Sequence, residues 1–331
     1  MNITIYDIAQ KCNVSIATVS RVLNGSSRVS EKTKKRILEV MQEMGYKPNP
    51  FARGLGLDSM KIVGVVCTDI SDIFYAHAVS LLEERLRKHH FDVMLSNTGT
   101  DTGRNSKYIT DMAAKHVDAI ITIGTPFSSE ADIRQLCRIA EHTPIITINS
   151  DYHQPNMYSV VCNEKDGMRA VIHKLAERNY HSILYIYDSL TYSGRQKLSG
   201  IQEGLRELGL TASSQLLRQI PRTLKDAEAL IENLLNNNVY FDAIVTSEDV
   251  LAIGAQRAAR RCGRDIPVIG CNNSILAQCA TPTLTSLDNK LSSLCTAAVR
   301  IVMDLTSKAD LSVPVRTEFS AELVTRESFH A

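Results

Sequence analysis

The chain has 331 residues, a 44% share of hydrophobic residues and a formal net charge of +1. This length exceeds one ordinary domain and is enough to bury a sizeable core. No segment approaches the ~18 consecutive apolar residues of a membrane span, so the sequence predicts a soluble protein with no membrane partner.

The charge is concentrated in the first 57 residues, where nine basic residues stand against four acidic ones and give a net charge of +5. The remainder carries −4, which predicts a polyanionic partner for the first segment alone. The start of the chain lacks the features of an export signal, so we expect a cytoplasmic protein. None of the eight cysteines forms a Cys-x-x-Cys pair, so we expect no disulfide and no zinc, with Cys67, Cys162 and Cys271 as small core residues.

Three short helical patterns fill residues 4–44. Thr4 and Asp7 form a variant capping box for the first helix. A turn at Asn13 and Val14 follows, and Ser15 is placed to cap a second helix. The spacing predicts two helices joined by a tight turn.

The second helical pattern separates an inward face from an outward one. Val19, Val22 and Leu23 face the first helix. The opposite stripe consists of Ile16, Ala17, Ser20, Arg21 and Asn24. An arginine can bond O6 and N7 of a guanine together, and short apolar groups suit a thymine methyl. The stripe therefore predicts a helix that enters the major groove of DNA.

Ser30 is placed to cap a third helix, which Gly45 closes just beyond its end. Its predicted inward residues are Ile37, Leu38, Met41 and Met44. Its basic residues are Lys32, Lys34, Lys35 and Arg36. These cations either face phosphates or form an ordinary solvated surface, and the sequence does not decide between the two.

After residue 59 apolar runs alternate with amphipathic stretches, which predicts βαβ repetition and a parallel sheet covered by helices. The first series has strands at 62–67, 93–96, 119–124 and 145–148, separated by helices at 75–90, 105–115 and 130–141. The second series begins near 158–162 and continues with strands at 183–187, 243–246 and 268–270 and helices at 194–208 and 249–262. Two such lobes enclose a cleft, and ligands bind at the carboxyl ends of the strands. Residues 284–287, 290–306 and 313–319 are expected to cross back and build its hinge.

The order of motifs in the first 50 residues is similar to the headpiece of the LacI/GalR family of transcription regulators. The segments that carry the resemblance are YDIA at 6–9, VSIATVSRVLNG at 14–25 and GYKPN at 45–49. The resemblance implies an all-α helix-turn-helix headpiece over residues 1–46, with double-stranded operator DNA as its partner. The residues that it assigns to DNA are Ser15, Ile16, Ala17, Thr18, Ser20, Arg21, Asn24 and Arg28.

Residues 47–59 follow as a linker, in which NPFARGL at 49–55 resembles the hinge helix of the same family. Asn49 is a good N-cap and Pro50 a good first helical residue, yet a helix this short is unstable alone. We expect it to fold when two copies pack together in the minor groove, where Leu55 opens a base step. The DNA contacts assigned to this segment are Asn49, Ala52, Arg53 and Leu55.

Residues 60–331 resemble the periplasmic-binding-protein-like (type I) core of the family, an α/β two-lobed effector-binding and dimerisation domain. The supporting segments are DISDIFY at 69–75, AIGA at 252–255 and TPTLTS at 281–286. The lobes are predicted as roughly 60–159 plus 290–318, and 160–289 plus 319–331.

By resemblance, the cleft contacts are Asp69, Phe74, Asn149, Lys197, Glu248 and Asn272. Relatives commonly have an arginine at the position of Lys197 and an amide at that of Glu248, so we expect an altered ligand preference within sugars, nucleobases or related metabolites. Two alternatives to ligand contacts stay open. Lys197 and Glu248 instead pair with each other across the cleft in the first alternative, and in the second Phe74 packs in the core.

The leading hypothesis is a repressor whose operator affinity is modulated by a small effector, and an activator or corepressor-dependent regulator remains an alternative. A transport-type solute-binding protein shares the cleft but has no use for a DNA-reading head. No dinucleotide, Walker, nucleophile-elbow or zinc-protease motif indicates an enzyme, and no cofactor or metal is expected. Two heads on adjacent half-sites require a homodimer. Helix 75–90 is its interface by resemblance, and further pairing of dimers is left open.

Overall fold

The computed structural model describes residues 3–23, 28–46, 59–99, 105–127, 129–210, 215–307 and 312–329. The head contains the predicted three helices, α1 (Ile5–Cys12), α2 (Ile16–Leu23) and α3 (Glu31–Glu43). They pack around an apolar cluster in which Ile8, Val19 and Ile37 are fully buried. Because each helix is too short to be stable alone, this shared core is what stabilises the head.

The first two helices begin at the predicted residues. The backbone nitrogen of Thr4 donates to the Asp7 carboxylate over 2.7 Å, and the Thr4 hydroxyl donates to the same oxygen over 2.7 Å. At the second helix the Ser15 hydroxyl accepts from the nitrogen of Thr18 at 3.2 Å. Each contact satisfies backbone or side-chain polar groups that the helix start leaves free.

The third helix also has the predicted ends. The Ser30 hydroxyl accepts from the nitrogen of Thr33 at 3.3 Å. At the other end Gly45 is left-handed with φ +64°, its nitrogen donates to Gln42, and the nitrogen of Tyr46 donates to the carbonyl of Met41. This pair of bonds is a Schellman motif, which requires a residue that tolerates positive φ.

The prediction that Leu38 points inward is wrong, since 47% of it is exposed. Ile37 and Met41 are four residues apart and share the buried face, with Met44 partly buried beside them. Leu38 lies one step of about 100° around the helix from Ile37 and so falls outside that face.

The first lobe is a six-stranded parallel sheet in the order β11-β5-β4-β3-β1-β2. Its strands are β1 (Ile62–Cys67), β2 (Asp92–Asn97), β3 (Ala119–Ile123), β4 (Ile145–Ile148), β5 (Met157–Asn163) and β11 (Arg316–Ser320). Its helices are α4 (Ile73–Lys88), α5 (Asn105–Ala114), α6 (Glu130–Ala140) and α12 (Leu291–Thr306). Helices α4 and α12 pack on one face of the sheet and α5 and α6 on the other.

The second lobe has the strand order β12-β10-β9-β8-β6-β7, in which β12 is antiparallel to β10 and the other pairs are parallel. Its strands are β6 (Ile183–Tyr187), β7 (Leu217–Gln219), β8 (Ala243–Thr246), β9 (Val268–Cys271), β10 (Thr285–Asp288) and β12 (Glu322–Val324). Its helices are α7 (Glu164–Glu177), α8 (Tyr192–Glu207), α9 (Leu224–Asn236), α10 (Asp249–Arg261) and α11 (Ile275–Cys279). Helices cover both faces here as well.

The inner strands are buried on both faces, which explains why they are continuous apolar runs in the sequence. Every residue of β3, β4, β8 and β9 is buried. Cys67, Cys162 and Cys271 are buried free thiols in such strands, as predicted. Within the described part of the chain, no helix is long and apolar enough to cross a membrane.

The chain crosses between the lobes three times, after β5, between β10 and α12, and between β11 and β12. The prediction that residues 158–162 begin the second lobe is wrong. That strand, β5, pairs with β4 and β11 inside the first sheet. Residues 319 and 320 likewise belong to the first sheet, because β11 continues to Ser320.

Candidate functional site

The head presents the predicted outward stripe on α2. Ile16, Ala17 and Arg21 are exposed, Ser20 is half-buried, and Val19 and Val22 on the opposite face are buried. Exposed isoleucine and alanine side chains leave apolar surface in contact with water, which is unfavourable unless another surface covers them. Together with the neighbouring arginine, they make this face suited to a groove that offers both methyl groups and hydrogen-bond acceptors.

The remaining predicted DNA contacts divide into two groups. Ser15, Thr18 and Arg28 are described, with Ser15 and Arg28 exposed and Thr18 half-buried. Asn24, Asn49, Ala52, Arg53 and Leu55 lie outside the described residues, as does almost all of the 47–59 linker.

The basic residues of α3 have acidic neighbours on their own helix. Lys34 lies 3.6 Å from Glu31 and Lys35 lies 4.0 Å from Glu39, in exposed pairs. Exposed pairs of this kind are worth at most about 1 kcal/mol, so phosphates can displace them easily.

A cavity of about 720 Å³ lies between the lobes at the carboxyl ends of the strands. Five of the six predicted cleft residues line it: Phe74 and Asn149 from the first lobe and Lys197, Glu248 and Asn272 from the second. The volume is within the range of about 300–1,000 Å³ that small-molecule pockets occupy.

The sixth predicted residue, Asp69, does not line this cavity. Its Oδ1 accepts from the nitrogen of Ser71 at 2.9 Å and from the Ser71 hydroxyl at 2.6 Å. These hydrogen bonds lower the pKa of Asp69 below its usual value. The carboxylate is turned back onto its own loop, which sequence position alone does not reveal.

Lys197 is the central cation of the cavity and is 3% exposed. Its Nζ donates to the carbonyl of Ser247 over 2.9 Å and lies 3.5 Å from both Glu164 Oε1 and Glu248 Oε1. Burial works against its charge, but the acidic groups around it, Cys271, Glu164 and Glu248, outweigh burial and raise the pKa of Lys197 well above its usual value. Lys197 is therefore a fixed positive charge.

The alternative that Lys197 and Glu248 pair across the cleft needs correction. The two side chains do pair, but α8 and the β8–α10 loop both belong to the second lobe. The pair therefore shapes one wall and does not join the two walls. Glu164 completes it from the start of α7 in the same lobe, and its other oxygen accepts from the Ser193 hydroxyl.

Glu248 immediately precedes α10, and its Oε2 accepts from the side-chain amide of Asn272. Burial is the main cause that raises the pKa of Glu248 to about 7; the carboxylates of Asp188 and Asp72 act in the same direction, while Lys197 and Arg222 oppose them. Near neutral pH Glu248 is therefore present both as a protonated carboxyl, which can donate a hydrogen bond, and as a carboxylate, which only accepts.

The amides of the cavity are held in place by a chain of hydrogen bonds. Asn289 donates to Asn272 Oδ1 over 2.9 Å, and Asn149 Oδ1 accepts from the nitrogen of Cys162 at 3.1 Å. The oxygen of Asn289 is buried without a hydrogen-bond partner among the described residues. The cavity therefore offers an acceptor that a donor on a ligand can satisfy.

Phe74 fulfils both of its alternative roles. It packs against the first lobe's core and also lines the cavity. Its ring lies edge-to-face on Tyr75, with centroids 5.5 Å apart. This arrangement fixes an apolar surface at the cavity wall.

Sequence reasoning missed two further cations that line the cavity, Arg195 on α8 and Arg222, and the second of these follows β7. Its Nη1 lies 3.3 Å from Asp72 Oδ2 and its Nε lies 3.9 Å from Asp188 Oδ2. Its partners are distant in sequence, so no local pattern points to it. Asp72 does carry a local signal, because it is placed to cap α4.

Comparison with known proteins identifies both parts of the chain. Residues 4–49 match the family model described as bacterial regulatory proteins, lacI family. Residues 172–329 match the periplasmic binding protein-like domain. The first match covers the helix-turn-helix helices, and the second covers most of the second lobe, the last two crossings, and α12 and β11 of the first lobe.

Full-length relatives have the same organisation. An HTH-type transcriptional regulator of Lachnoclostridium phytofermentans is 41% identical over 98% of this chain and 98% of its own length. The lac repressor dimer bound to operator and the anti-inducer ONPF superimposes with a TM-score of 0.87 at 22% identity, covering 99% of each chain. The transcriptional regulator CelR in its cellobiose complex superimposes with a TM-score of 0.71 at 24% identity, covering 99% of this chain and 100% of that one.

Proposed function

The chain belongs to the lacI family of bacterial regulatory proteins, and from this premise we propose that it is a transcriptional repressor whose affinity for operator DNA is set by a small molecule in the cleft. The observation that carries the proposal is the combination of an exposed, arginine-bearing helix face in the head with a lined cavity between two lobes. A solute-binding protein needs only the second feature.

In this proposal α2 lies in the major groove. Arg21 bonds a guanine, and Ile16 and Ala17 contact thymine methyls. Ser15, Thr18, Ser20 and Arg28 surround them, and Asn24 is a further proposed DNA contact. The linker residues Asn49, Ala52, Arg53 and Leu55 then act in the minor groove, where two copies of the short helix fold together.

We propose a cleft ligand rich in hydroxyl groups, such as a sugar. Lys197 and Arg222 are already paired with carboxylates, whereas the Asn289 oxygen has no hydrogen-bond partner among the described residues and is an acceptor suited to a ligand hydroxyl. Phe74 supplies an apolar surface for a ring. The cellobiose complex of CelR is a fold-level parallel for this placement. A nucleobase or related metabolite is the alternative occupant.

We further propose that the protein acts as a cytoplasmic homodimer with α4 and its neighbours at the interface. Ile70, Ile73 and Ile275 are exposed near the start of α4 and on α11, as a partner-covered surface requires. The lac repressor structure of the same fold is a dimer on its operator. A dimer presents two heads to two half-sites and thereby gains effective concentration.

The test has two stages with the full chain. Selection from a random DNA pool is expected to enrich a site with two related half-sites, and binding to it should fall steeply with salt. A thermal-shift panel of cellobiose, glucose, nucleosides and bases then identifies cleft ligands by their rise in melting temperature. Operator affinity measured with that ligand gives the direction of control. The proposal fails if no DNA site is enriched or if a cleft ligand leaves operator affinity unchanged.

A further inference from the structure

We propose that Arg222 and Asp72 form a latch across the cleft that holds the two lobes together and ties the first turn of α4 to cleft closure. Asp72 belongs to the first lobe and Arg222 to the second, so their 3.3 Å contact joins the lobes directly.

Each half of the latch is anchored in its own lobe. Asp72 caps α4, since its Oδ1 accepts from the nitrogens of Phe74 at 2.9 Å and Tyr75 at 3.3 Å. Its other oxygen, Oδ2, faces Arg222. On the opposite side the Asp188 carboxylate lies 3.9 Å from the guanidinium and itself accepts from the Ser247 hydroxyl at 2.9 Å. One carboxylate therefore serves a helix start and an interlobe ion pair at once.

The ion pair of the latch is shielded enough from solvent to contribute to the stability of the closed cleft. The side chains of Arg222 and Asp72 are 28% and 18% exposed, which separates this pair from the fully solvated pairs of the surface helices. Partial burial strengthens the attraction, and the bonds to backbone and hydroxyl groups offset the desolvation of the charges.

Arg222 is part of the wall that separates two neighbouring pockets. It lines the 720 Å³ cavity and also a smaller pocket of about 200 Å³, and Phe74, Glu248 and Asn272 line both as well. Asp72 lines the smaller pocket. Separation of Arg222 from Asp72 would join the two spaces, so the latch sets how far a cleft occupant can extend toward α4.

A second, weaker contact spans the cleft nearby. The nitrogen of Tyr192 donates to the Thr125 hydroxyl over 3.4 Å. Thr125 follows the first lobe's β3, and Tyr192 begins α8 of the second lobe. When the latch opens, we therefore expect the backbone to become less protected in two segments that are far apart in sequence, residues 72–76 and 188–193.

Hydrogen exchange measured by mass spectrometry on the full chain tests this inference without DNA or ligand. Arg222→Gln should speed exchange about fivefold in both segments, as expected for the loss of roughly 1 kcal/mol. Asp72→Asn should do the same, because asparagine preserves the helix cap while removing the charge. Arg222→Lys should restore part of the protection, and Arg218→Gln on β7 is the matched control.

The double variant decides between a latch and two separate effects. If the two side chains act through each other, Arg222→Gln with Asp72→Asn exchanges no faster than either single variant. Additive acceleration, or wild-type exchange in Arg222→Gln, overturns the latch. Since none of these measurements involves operator binding, the latch and the proposed function fail independently.

Discussion

Replacement of Lys197 by methionine is expected to be the most damaging single change in the cavity. Methionine fills a similar volume, so the effect isolates the charge and its hydrogen bond to Ser247. Glu164 is 1% exposed, and the ammonium of Lys197 lies 3.5 Å from its carboxylate. Loss of one partner of a buried ion pair costs about 3–5 kcal/mol.

With an unfolding entropy of about 2.1 cal/mol/K per residue, each kcal/mol corresponds to roughly 1.5 °C in melting temperature for a chain of this size, so Lys197→Met should melt about 4–7 °C lower at pH 8. The penalty should shrink at pH 5.5, where Glu248, with its pKa of about 7, is already protonated and only Glu164 is left unpaired. Differential scanning calorimetry at the two pH values measures both effects.

Lys165→Met is the matched control, because Lys165 pairs with Glu203 at 2.6 Å in a 38% exposed setting and should lose at most about 1 kcal/mol. Equal melting temperatures for the Lys197 and Lys165 variants, or a Lys197 penalty that does not change with pH, would refute the electrostatic account of the cavity.

Three further outcomes are expected. Arg21→Ala should weaken operator binding by about 1–3 kcal/mol and relax the preference at one base position per half-site, whereas a uniform loss on all DNA sequences contradicts direct readout. Glu248 has a folded pKa of about 7 against 4.5 when unfolded, so wild-type stability should fall as pH rises from 4.5 to 7, by on the order of 3 kcal/mol. Urea titrations of Glu248→Gln should show a flatter profile in that window, and an unchanged slope would count against the raised pKa. Gly200→Ala should destabilise the second lobe by roughly 1–3 kcal/mol, because the new Cβ would lie 2.1 Å from the carbonyl of Lys165 and force α7 and α8 apart. The matched change Ser199→Ala on α8 should leave urea unfolding nearly unchanged, and a similar result for Gly200→Ala would show that the helices can separate freely.

The head was predictable because its determinants are local. Caps at Ser15 and Ser30 and the apolar spacing of Val19 and Val22 fix which face of α2 is outward. The prediction that Leu38 is buried was wrong because an apolar residue next to a buried position is not itself buried when only one face of the helix is covered.

The fold class of the two-lobed domain was predictable from the sequence, but the pairing of its strands was not. Alternating strands and helices indicate parallel sheets, yet nothing in residues 157–163 says which sheet will receive them. Family resemblance located five cavity residues and also suggested Asp69, whose orientation depends on the turn made by Ser71. Arg222 and Asp72 are 150 positions apart, so only the folded chain brings them together.

The three crossings between the lobes also constrain how the chain is made. Strand β11 forms an edge of the first sheet although it starts at residue 316, and β12 closes the second sheet directly after it. During synthesis the ribosome therefore delivers nearly the whole chain before either sheet has its outermost strand. Until then β5 and β10 present unpaired edges, and both lobes must be completed almost simultaneously by one short stretch of polypeptide.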